Sequence, residues 1–125
     1  MEFGLSFNGI DDYATFHLGS GIVRGTHENY PVKVSAAKTV SLCSSGDIFS
    51  GVLVTIDTGN EYGVVKETGY VTLPYTGTAP QVGDDKELVA DGSGGVKIPG
   101  EEETGRKYRI VDVDTTAKTV TFRLG

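Results

Sequence analysis

From Lys118 to Leu124 the chain sets Val120, Phe122 and Leu124 on one parity and Thr119, Thr121 and Arg123 on the other. That is the period-2 signature of a strand with one buried face. Tyr108 to Asp114 supplies a partner strand across the turn Thr115, Thr116 and Ala117. Before it, Lys86 to Val89 and Val96 to Ile98 flank the glycine-rich turn at 91–95, giving two hairpins in succession. A chain patterned in this way is committed to sheet.

The pattern continues upstream. Val32 and Val34 alternate with Lys33 and Ser35, and Val40 and Leu42 with Thr39, Ser41 and Cys43; Ala36-Ala37 is a poor turn, so this is one bulged strand or two. Ser44 to Asp47 reads as a turn. Val52 to Ile56 is almost continuously apolar, as a central strand buried on both faces must be. Asp57 to Asn60 closes a hairpin onto Glu61 to Lys66. In Tyr70 to Tyr75, Val71, Leu73 and Tyr75 share a face, and Pro74, which has no N–H to donate, puts this strand at an edge or ends it. Short strands at this spacing, with no amphipathic helix longer than a turn or two, predict an all-β fold: a small antiparallel β-barrel or sandwich over 31–125.

Residues 1–30 differ in character. Phe3, Leu5, Phe7, Ile10, Tyr13, Phe16, Leu18 and Ile22 are interleaved with five glycines, and the irregular spacing expresses little helix or strand preference. This segment reads as an extended N-terminal arm. Phe3, Leu5, Phe7, Tyr13 and Phe16 are its candidate oligomer or partner contacts.

Composition removes several function classes. At 125 residues the chain is long enough for one domain with its own core. Its 18 glycines against 4 prolines suit many tight turns. The net charge of −6 disfavours nucleic acid, which is held by lysine and arginine on phosphate. Cys43 is the only cysteine, so neither an intrachain disulfide nor a cysteine-rich zinc site can form. Neither a basic-then-apolar leader nor an apolar run of about 18 residues is present, and a soluble protein made in the cytoplasm, without a membrane partner, is expected.

Candidate chemistry is sparse. His17 and His27 lack the spacing and neighbouring ligands of a zinc or general-base site. Asp112 and Asp114 share a strand face that a cation could use, but no further oxygen ligands lie nearby, and Asp at a turn commonly bonds backbone. Asp91 to Gly95 resembles a piece of a calcium loop or phosphate cradle without the remaining ligands or the following helix, and a hairpin turn explains it. Gly19-Ser-Gly21 has no preceding apolar strand, Asp85-Lys86 matches a lipoyl-type turn only faintly, and no G-x-S-x-G elbow occurs. No catalytic, cofactor or metal residues are assigned, and an enzyme is not expected.

Charge is patterned as well. Asp84, Asp85, Glu87, Asp91 and Glu101 to Glu103 make the loops around the third-quarter hairpin acidic, with Arg106, Lys107 and Arg109 directly after them. The acids read as solvated loops, and the cations answer them within the chain or in a neighbouring subunit.

The run Gly46 to Val54, then Gly69 to Leu73, Val82 to Asp84, Asp91 to Lys97, Ile110 to Val113 and Thr119 to Phe122, resembles the small capsid decoration, or cement, proteins of tailed bacteriophages. The likeness covers about three quarters of the chain, from Pro31 onward. It implies a structural virion protein, made in the host cytoplasm, that binds the major capsid protein on the outer surface of an icosahedral head, assembles as a homo-trimer and stabilises the shell. Two rivals are a tail or head-completion protein and a carbohydrate-binding β-module, the second using Tyr62, Tyr70 or Tyr75 as an aromatic platform.

Overall fold

Val52 and Leu53 are neighbours in sequence with opposite destinations. In the computed structural model, which describes residues 12–124, each enters a different hydrophobic core. Both faces of their strand are therefore buried, which is why it is apolar on both parities.

The first core fills a closed barrel of β1 (Tyr13–Leu18), β2 (Pro31–Ala36), β3 (Thr39–Leu42), β4 (Gly51–Ile56) and β5 (Tyr62–Lys66), in the order β1-β3-β2-β4-β5. β1 seals it, antiparallel to β5 from Tyr13↔Lys66 to His17↔Tyr62 and parallel to β3 at His17↔Thr39 and Leu18↔Val40. Ile22, Val32, Val40, Leu53, Ile56 and Val65 fill the interior, with Phe16, Leu18 and Leu42 packed against them.

The second core lies under a five-stranded sheet ordered β6-β10-β9-β7-β8, built from β6 (Gly69–Pro74), β7 (Gly83–Ala90), β8 (Val96–Lys97), β9 (Arg106–Asp114) and β10 (Thr119–Leu124). The sheet curls until Tyr75 bridges Val96 across its two margins. Val120, Phe122 and Leu124 all point inward, as their parity requires. Phe49, which precedes β4, crosses into this core and stacks on Tyr108 at 5.3 Å, with Phe122 edge-on to both.

Segments 44–47 and 90–95 clasp the two halves. Gly46 N–H donates to Ala90 O and Ala90 N–H to Asp47 O, both at 2.9 Å. Gly94, at φ 95°, sits under the Tyr30 ring so closely that an added Cβ would lie 2.6 Å from a ring carbon.

The all-β expectation holds: the described residues contain ten strands and no helix. β6 is an edge strand ending at Pro74, as its proline requires. The Ala36-Ala37 ambiguity resolves into two strands, because Lys38 takes a left-handed φ of 55° and Val34/Ala36 carries a bulge.

The expected arm over 1–30 and its boundary at Pro31 need correction. Residues 1–11, including Phe3, Leu5 and Phe7, lie outside the described residues. Tyr13–Leu18 is a barrel strand, and Ile22 is core. The physical reason is that Ala14, Phe16 and Leu18 form one inward parity and that β1 finds a partner on each side, so both its ladders are satisfied.

Candidate interaction surfaces

The alternation that sends Phe16 into the barrel sends Tyr13, Thr15 and His17 outward. Register sets them beside the outward residues of β5: Tyr13 opposite Lys66, Thr15 opposite Val64 and His17 opposite Tyr62. The His17 and Tyr62 rings lie 4.6 Å apart, and Tyr13 and Tyr62 remain 52% and 44% exposed. Beside them Thr15, Thr55, Tyr62 and Val64 line a shallow hollow of about 210 Å³. Of the candidate contacts from the sequence, Tyr13 is thus on a surface and Phe16 is not. Tyr62 was legible only as one possible aromatic platform; its neighbours His17 and Val64 become visible once β1 is paired with β5. Of the other two tyrosines considered for a sugar platform, Tyr75 is core and Tyr70 half-buried.

A second surface is a groove of about 470 Å³ between the 76–82 and 97–103 loops. Ile110, 1% exposed, forms its floor, and Ala79, Pro80, Ile98 and Pro99 supply apolar wall. Its charged rim is Lys86, Glu87, Glu101 and Glu103. Glu103 is oriented by Gly100 N–H and by Lys97 at 3.3 Å, which together hold its carboxyl below the ordinary range. Glu101 and Glu102 stay exposed on the loop.

The basic run beyond that loop is answered mainly inside the chain. Arg109 Nε donates to Asp84 at 2.9 Å, and the Arg106 guanidinium lies 5.5 Å from the Tyr108 ring centre.

Several of the other residues considered in the sequence have structural roles. Asp91 Oδ1 accepts N–H from Ser93 and Gly95, and Asp114 Oδ1 from Thr116 and Ala117, so each holds a turn. His27 Nδ1 accepts the Val23 N–H. Cys43 is half-buried, and burial, aided by the Asp47 carboxylate, pushes its thiol up to about 12, away from nucleophilic thiolate. Asp47 accepts from Lys33 Nζ at 2.6 Å and from Ser44 N–H at 2.8 Å, which lowers its carboxyl below the ordinary value. Among the described residues no three histidine, cysteine or carboxylate groups converge as for a metal, and no helix is long and apolar enough to cross a membrane.

No protein-family model matches the chain, and no curated protein matches it in sequence.

Proposed function

We propose that this chain is a structural virion protein, a decoration protein that binds the major capsid protein on the outside of an icosahedral phage head as a homo-trimer and stabilises the shell. The observation that carries the reading is the Tyr13, His17 and Tyr62 stripe: an aromatic surface held on a closed barrel whose strands have no free edges to adapt. Rigid aromatic side chains supply contact area at low entropic cost, the property of residues that anchor protein interfaces. The resemblance of the chain from Pro31 onward to cement proteins points the same way. Binding only the assembled shell stabilises that shell by mass action, and three linked copies multiply a modest contact.

The test is to add purified protein to expanded, undecorated heads and image them by electron microscopy. Three-fold clusters of added density on the outer surface are expected, with heads that resist heat better. Heads that stay bare at saturating protein would overturn the reading.

A further inference from the structure

The groove between the 76–82 and 97–103 loops combines features that a solvated loop does not need. Ile110 of the second sheet's core lies just beneath its floor, 1% exposed, and Ile98 stands 42% exposed on the wall. Its volume, about 470 Å³, suits one or two large side chains. Charge decides which kind. Glu87 and Glu101 oppose Lys86 on the rim, while Glu103 and Lys97 are committed to each other. Exposed Glu102 and Asp85 extend the negative field, Asp84 being paired with Arg109. The same field disfavours the chain's own first residues, which carry Glu2, Asp11 and Asp12 and no lysine or arginine.

We propose that this groove docks a segment of a partner protein that presents a large apolar side chain flanked by lysine or arginine. The apolar side chain covers Ile98 and the apolar wall of Ala79, Pro80 and Pro99, and the flanking cations meet Glu87 and Glu101. Complementary charge at the rim steers encounter and orients the segment, while burial of the apolar side chain holds it. The inference deepens the proposed function, resting on it only for the partner being the head shell.

The experiment separates the two. Millimolar acetyl-Gly-Lys-Ile-Lys-Gly-amide is titrated into the full-length labelled protein and followed by NMR, with a Glu-Ile-Glu peptide as control. Shifts confined to residues 78–81, 97–101 and 110 are expected with the lysine peptide alone. Glu101→Lys and Ile98→Asp, both at exposed positions, should weaken binding at least tenfold with unchanged melting temperature. In parallel, wild type and both variants are added to undecorated heads. Loss of decoration by the variants supports the groove as the shell contact. Heads decorated equally by all three proteins overturn the groove as the shell contact while leaving the decoration role standing. Peptide binding with bare heads supports the groove's chemistry and overturns the decoration role. Absence of shifts with the lysine peptide, or equal shifts with both peptides, overturns the groove.

Discussion

Tyr108 is the residue at which this core departs from good packing practice. Its ring is stacked on Phe49, yet its hydroxyl is buried without a hydrogen-bond partner among the described residues, and burial pushes its ionisation up to about 12. A buried unpaired hydroxyl costs about 1–3 kcal/mol. Tyr108→Phe is therefore expected to raise stability by about 1 kcal/mol, read as a higher urea midpoint at unchanged slope. A fall would mean that the hydroxyl is bonded. Cys43 gives a second residue-level test: with its thiol pushed up to about 12, alkylation by iodoacetamide at pH 8 should be slow in the folded protein and fast in urea, so that labelling reports unfolding. Rapid labelling of folded protein would contradict the burial. Alternation in sequence places Cys43 on the polar parity with Thr39 and Ser41 and makes no inward assignment for Tyr108. What sequence could not give is the company they keep: Phe49 reaches Tyr108 across 59 positions of chain, and nothing local announces that contact.

At the scale of elements, β4 was legible because only a strand buried on both faces has reason to be apolar on both parities. β1 was not, although Ala14, Phe16 and Leu18 alternate with Tyr13, Thr15 and His17. Its partners lie later in the chain, one of them parallel, and the surrounding glycines hide a pattern of six residues. The exposed aromatic stripe was lost with it, since His17 and Tyr62 meet only through that pairing. The 44–47 turn was read as a turn, but not as the clasp between two cores. Its electrostatics make a pH prediction. Lys33, and after it the Ser44 N–H, hold the Asp47 carboxyl below its ordinary value, so the folded state binds this proton less readily than the unfolded chain. The stabilisation is present above the unfolded value, near pH 4, and is lost as pH falls through the lower folded value. Asp47→Asn should cost about 1 kcal/mol at pH 7, a partly exposed pair being worth little more. The difference between variant and wild type should shrink below about pH 4 in thermal melts. A gap that persists at pH 2 would place the effect in the backbone of the turn rather than in the ion pair.

The whole molecule has two cores but is not two independent bodies. Phe49 and Val52 belong in sequence to the barrel half and in space to the core of the second sheet, where Phe49 makes two of the three aromatic contacts. Removing a large buried aromatic side chain costs about 3–5 kcal/mol, a large share of the stability of an ordinary small domain. A fragment of residues 67–125 lacks Phe49 and Val52 as well as the clasp bonds from Gly46 and Asp47, and should not fold alone, with poorly dispersed amide resonances. The barrel fragment, residues 1–66, retains the whole of the first core but exposes Phe49 and Val52, and should aggregate or stay loosely ordered unless its counterpart is added. Mixing the two should restore dispersion, and the intact chain should unfold in one transition by probes placed in either half. Independent folding of the 67–125 fragment with native stability would show that Phe49 is dispensable, and that the second sheet is a domain in its own right.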